Sequence, residues 1–264
     1  MVCIITWIIA LVKPWENKYI CNDSTLKTMR KFLTAVLFVF FSILAFAQTA
    51  TDGTIKFLGI PVDGTKQNMI TQLKSKGFQY FSHNDCLIGQ FNGKDVEIHV
   101  VTNHDVVYRI YVQYLTGLSE SRILSEYNTL LEQFNRNIKY VTPRANRPIP
   151  RTEHIAYEMS GNNKQYEAAY LYLSPDLFSE KEVGQIHQLM DKLKGMSEDE
   201  ILESVDELVA SLQISDAEEA ESFVQKWLTL QNNCVWFKIN GDYGNYELGI
   251  YYDNRNNQPN GEDL

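Results

Sequence analysis

His83, Cys86, His99 and His104 stand at the spacing His-x2-Cys-x12-His-x4-His. Imidazole nitrogen and thiolate sulfur are good zinc donors, and three of them would leave one coordination position open for water. The spacing is that of a small zinc finger with one Cys replaced by His. The surrounding residues argue against a finger. Its last two histidines belong on a helix, whereas His99 lies in the alternating stretch VEIHVV and His104 sits in the turn sequence Asn103-His104-Asp105. A chain of this length also needs no metal in order to fold.

The same side chains offer a second chemistry: a Cys86 nucleophile with His83, His99 or His104 as its base, with or without zinc, in a hydrolase. A useful thiol nucleophile needs a lowered pKa and a third group to orient its base, and the sequence displays neither. Cys86 opens the apolar stretch CLIGQF, where a buried thiol is the common outcome. The chain has no Gly-x-Ser-x-Gly elbow, phosphate-binding glycine loop, dinucleotide fingerprint or His-Glu-x-x-His pair. No catalytic residue is assigned, and no cofactor is expected.

Two further groups read as binding surfaces. Arg144, Arg147 and Arg151 form a basic island beside three prolines. They fit an acidic partner, or the ten acidic residues that run without a basic one from Gly195 to Gln225. Tyr166, Tyr170 and Tyr172 share one strand face by period-2 alternation, as do Tyr108 with Tyr114 and Tyr246 with Tyr252. An exposed aromatic face of that kind binds peptides or sugar rings.

These groups need elements to hold them. Thr54–Ile60 reads as a first strand and residues 66–76 as a helix stopped by Gly77. Strands over Cys86–Phe91 and Val96–Val101 flank an Asn92-Gly93 turn, and a third runs over Val106–Leu115. A helix begins at Ser119. After the Pro/Arg-rich segment 141–151, strands are expected over Glu153–Ser160 and Gln165–Leu173. Three helices follow with Ser-x-x-Glu starts at Ser179, Ser197 and Ser215. A closing hairpin pairs Cys234–Ile239 with Tyr246–Tyr252. The fold class is α+β, antiparallel sheets with helices packed on one face. The expected layout is two lobes of similar size, 48–140 and 152–264, joined by a linker at 141–151.

Met29-Arg30-Lys31, the apolar run Phe32–Leu44 and Ala45-Phe46-Ala47 make up a secretory signal with cleavage after Ala47. An uncleaved anchor is the alternative, although the run is shorter than the ~20 residues a spanning helix needs. Residues 1–28 are expected to be an upstream extension ahead of the true start, the alternative being a two-helix membrane hairpin. The first 47 residues hold five basic and two acidic side chains; the remaining 217 hold 19 and 31, a net charge of −12. Such a surface repels phosphate backbones, so nucleic acid is not an expected partner. The mature chain has no membrane-spanning run. Cys86 and Cys234 could pair in an oxidising compartment, but the sequence does not supply the distance between them.

The stretches Phe57–Thr65 (FLGIPVDGT) and Tyr251–Leu264 (YYDNRNNQPNGEDL), with the Ala-Phe-Ala-Gln cleavage site, resemble a group of exported proteins of unknown function from Bacteroides-type bacteria. The resemblance implies a periplasmic or secreted setting and brings no catalytic residues. The expectation is an exported, soluble binding or interaction module of the cell envelope, with an envelope protein or a glycan as partner. A Cys86 hydrolase is the alternative.

Overall fold

The computed structural model describes residues 53–142, 146–194, 196, 197, 200, 204, 217–242 and 244–259. The chain divides into two units. In the smaller, Met1–Ala50 with Met196–Gln225, Ser197 and Glu200 cap one another: the Ser197 hydroxyl accepts from Glu200 N and the Glu200 carboxylate from Ser197 N. The helix starts expected at Ser197 and Ser215 otherwise lie largely outside the described residues, as does the export segment.

The larger unit, Thr51–Gly195 with Lys226–Leu264, is built on one antiparallel sheet of eight strands. A two-stranded hairpin of β1 (Lys56–Phe57) and β2 (Ile60–Pro61) comes first, where a single strand was expected. Leu58 and Gly59, at φ 51° and 82°, turn the chain between them. Helix α1 (Lys66–Ser75) is capped by the Thr65 hydroxyl, which accepts from Asn68 N, and ends before Gly77 at φ 99°.

Strands β3 (Gln79–Phe81), β4 (Cys86–Phe91), β5 (Lys94–Asn103) and β6 (Val106–Tyr114) follow as a meander. Asn92-Gly93 and His104-Asp105 have positive φ at both turn positions, the geometry whose twist matches that of paired strands. Helix α2 (Glu120–Arg136) buries Ile123, Leu124, Tyr127, Leu130, Leu131 and Phe134, an apolar stripe at helical spacing.

The second half adds β7 (Tyr140–Val141), α3 (Ile155–Gly161), β8 (Glu167–Tyr172), α4 (Glu180–Leu193), the end of α5 (Ala217–Gln231, of which 226–231 belong to this unit), β9 (Asn233–Asp242) and β10 (Asn245–Asn254). Residues 155–161 are helical, not a strand. Ile155 is buried and Ala156 and Met159 pack on the core, while Tyr157, which alternation would have placed beside them, is 65% exposed. Helix α4 carries the expected capping box between Ser179 and Glu182.

The strand order is β3-β4-β5-β6-β10-β9-β8-β7. The chain halves expected as two lobes are therefore the two halves of one sheet, joined where β6 pairs with β10. The segment expected to link lobes is strapped to α2: the Asn128 amide donates to Ile149 O and accepts from Ile149 N, both at 2.8 Å. Ile149 belongs to the core.

One sheet face carries that core. Val96, Ile98 and Val100 on β5, Ile110 and Val112 on β6, Leu248 and Ile250 on β10, and Val235 and Phe237 on β9 all point to it. α2 lies against this face, with Tyr127 and Phe134 packing on Phe237 at centroid distances of 5.1 and 5.6 Å. Among the described residues no helix is long and apolar enough to cross a membrane.

Candidate functional site

Side chains that alternate with the core residues lie on the other face of the sheet. Cross-strand register places His99, Tyr111, Tyr251 and Trp236 opposite one another on β5, β6, β10 and β9, with Ala169 of β8 next in the row. The rings stack in that order. Their centroids are 5.8, 4.6 and 3.8 Å apart, with interplanar angles of 19°, 10° and 7°. All four are half-buried. Because the stacking direction runs along the row, the rings stand edge-on to the surface. Trp236 is the exception: its outer side meets the small, exposed Ala169.

One flank of the row is held by an ion pair. Arg109 Nε and Nη2 donate to the two carboxylate oxygens of Asp253 at 2.6 and 2.7 Å, and Trp236 Nε1 donates to Asp253 at 2.9 Å. Asp253 is 2% exposed. The pairing holds the Arg109 guanidinium above its ordinary pKa. That guanidinium lies 5.3 Å from the Tyr251 ring centroid and 5.4 Å from that of Trp236, within cation–π range.

The opposite flank is polar. The Tyr111 hydroxyl donates to Gln113, whose amide donates to Glu247, and His99 Nε2 lies 3.0 Å from a Glu97 oxygen. Burial and the neighbouring Tyr251 push the Tyr111 phenol well up.

The metal constellation does not assemble. Among the described residues no three His, Cys, Asp or Glu side chains are placed to hold a metal ion. His99 points from mid-strand, and His104 is five residues further on in a turn, about 16 Å of extended chain away. His83 sits in the exposed β3–β4 turn. Cys86 is 1% exposed, and its thiol is pushed up to about 11 by burial and then by Glu97, the opposite of what a nucleophile needs. Cys234 is likewise pushed up to about 11 by burial, and both cysteines are free. Strands β5, β6 and β10 lie between β4 and β9, so four spacings of about 4.8 Å hold the two thiols about 19 Å apart. A disulfide needs Cα atoms within about 7 Å.

Tyr166, Tyr170 and Tyr172 do share a face, but it is the covered one: all three are buried in the core. Tyr170 donates to Asn135 on α2 at 2.9 Å. Tyr114, Tyr246 and Tyr252 are buried with them. Arg147 and Arg151 are exposed, and Arg144 lies outside the described residues. Of the residues singled out in the sequence, His99 belongs to the open-face row, and Cys86, which the β4–β5 register sets opposite His99, continues it on β4. Tyr111, Tyr251, Trp236 and Arg109 carried the same alternation signal on strands already recognised, one residue out of step with the core, while Asp253 lies one residue beyond the strand expected over Tyr246–Tyr252.

Cys86 stands beside His99, but burial pushes its thiol up to about 11, which keeps it protonated. The arrangement presents a rigid strip of aromatic edges beside a fixed guanidinium, which suits recognition. The fold is an α+β antiparallel sheet with helices. No family model, characterised protein or solved structure matches the chain.

Proposed function

We propose that the protein is an exported binding module of the bacterial cell envelope that engages a partner protein through the open face of its sheet. The observation carrying this reading is the stacked row of Tyr111, Tyr251 and Trp236 with Arg109 beside it. Trp, Tyr and Arg are the residues that most often anchor protein interfaces. Here their side chains are already immobilised by stacking and by Asp253, so little rotamer freedom remains to be lost on binding. The mixed charges around the strip, Lys238 among Glu97, Glu247 and Glu167, form a polar rim of the kind that fixes register. Export rests on the secretory pattern of Met29–Ala47.

The test is a photo-crosslinking residue at position 238 of the full chain, irradiated in intact cells. The expected result is one defined adduct that disappears when Trp236→Ala and Tyr251→Ala are combined. No adduct, or an adduct unchanged in a double variant with a native circular-dichroism spectrum, would overturn the reading.

A further inference from the structure

On the helix side of the sheet, away from the aromatic row, a cleft of about 310 Å³ opens between the C-terminal end of α2, the β4–β5 turn and the β1–β2 hairpin. Its walls are aromatic: Phe91, Phe134, Tyr140 and Tyr252, with Leu130. Besides the phenol hydroxyls of Tyr140 and Tyr252, its polar side chains are four carboxamides, Gln90, Asn92, Gln133 and Asn137, all on exposed residues. Among the described residues, none of its lining side chains is ionisable as an acid or a base in the physiological range, in a chain where 22% of residues are charged.

We infer that this cleft binds a neutral saccharide. A charged ligand would leave water there without a counter-charge, at a desolvation cost. The C-terminal end of α2 adds a partial negative charge that disfavours anions further. Each carboxamide offers donors and an acceptor, and a sugar hydroxyl is itself both, so amides and hydroxyls match in either direction. In the lining, Asn92 Nδ2 donates to Gln133 Oε1 at 2.8 Å, which orients both amides. The C–H faces of a pyranose ring then meet the aromatic walls. The volume is at the lower end of small-molecule sites, about 300–1,000 Å³, which suits a mono- or disaccharide.

Leu58 supplies an independent indication. It lines the cleft at the tip of the β1–β2 turn, with φ 51° and 38% of its surface exposed. A bulky residue rarely adopts that backbone region, and strain of this kind gathers at ligand-binding positions. Neither turn geometry nor core packing requires a leucine here, whereas an apolar lip over a bound sugar does.

The probes are the methyl glycosides of glucose, galactose, mannose and N-acetylglucosamine, tested by saturation-transfer NMR on the protein, with choline as a charged control. At least one glycoside is expected to bind. Gln133→Ala should weaken it about 2–10-fold, the range one hydrogen bond is worth. Leu58→Gly should weaken it as well while leaving the melting temperature unchanged or higher, because it relieves the turn. The Trp236→Ala/Tyr251→Ala variant should bind the sugar normally, which separates this site from the open face. Binding of none of the four, binding of choline instead, or sugar binding indifferent to both Gln133→Ala and Leu58→Gly would overturn the inference.

Discussion

Arg109 and Asp253 stand directly opposite each other on β6 and β10, at the seam where the two chain halves join into one sheet. They form a two-pronged pair there, closed on its other side by Trp236. The two partners are not equally buried: the Asp253 side chain is 2% exposed and that of Arg109 is 26% exposed. This asymmetry has a measurable consequence. Arg109→Ala strands a carboxylate in a buried position and should cost about 3–5 kcal/mol. Asp253→Asn leaves a guanidinium that can still reach water and should cost about 1–3 kcal/mol. Urea denaturation of both variants checks the order, and an Asp253 variant that is the less stable of the two would contradict it.

The tightest contact in the aromatic row is Trp236 on Tyr251, at 3.8 Å and 7°. An aromatic pair contributes about 0.5–1.5 kcal/mol beyond the area its members bury. A double-mutant cycle with Trp236→Leu and Tyr251→Leu should recover a coupling of that size from unfolding free energies. A coupling near zero would mean that the rings are neighbours without mutual stabilisation.

Cys86 and Cys234 both hold their protons up to about pH 11, against an ordinary thiol value of 9.0. Below pH 9 the folded and unfolded chains are both protonated at these sites and the stability difference is constant. Between 9 and 11 the unfolded chain releases thiol protons that the folded chain retains, so stability falls as pH rises through this window. Alkylation by iodoacetamide at pH 8 should be about a hundredfold slower than for a free thiol, since two pKa units separate them. Adding urea past the midpoint should restore the ordinary rate. Rapid native labelling of Cys86 would reopen its role as a nucleophile.

Much of the fold was legible because its determinants are local. Asn92-Gly93 specifies its hairpin through backbone preference, Thr65 and Ser179 mark helix starts through their hydroxyls, and the stripe from Ile123 to Phe134 could only be a buried helix face. What failed was the step from a shared face to an exposed one. Alternation says that Tyr170 and Tyr172 point the same way, and equally that Trp236 and Lys238 do. It does not say which side the helices cover, because that depends on where α2 lies in three dimensions. The 155–161 segment was misread for a related reason: Ile155 and Met159 fit a period of two or of four in so short a stretch. The cleft was beyond sequence reading altogether. Phe91 and Tyr140 come from strands near opposite edges of the sheet, and only the strand order and α2 relate them.

Gly249 lies between Gln113 and Lys238 in the row beside the stacked rings, at a position where its neighbours lean in. A Cβ added there would fall 2.9 Å from Asn240 Nδ2, 3.1 Å from Tyr111 Cε2 and 3.1 Å from the Tyr251 hydroxyl. Its backbone is not in the left-handed region, so the demand is for space rather than for conformation. The Asn240 amide can swing aside. Tyr111 and Tyr251 cannot move independently, because each ring is packed on the other at 4.6 Å. Gly249→Ala should therefore tilt both rings together, costing about 1–3 kcal/mol, as overpacking usually does. The near-ultraviolet circular dichroism should change while the far-ultraviolet spectrum stays native. If the open face is the binding surface, the same single methyl group should weaken the position-238 crosslink without touching the cleft. A Gly249→Ala protein with unaltered near-ultraviolet signal and stability would mean that the row is loose enough to absorb the intrusion, and the preorganisation attributed to it would be lost.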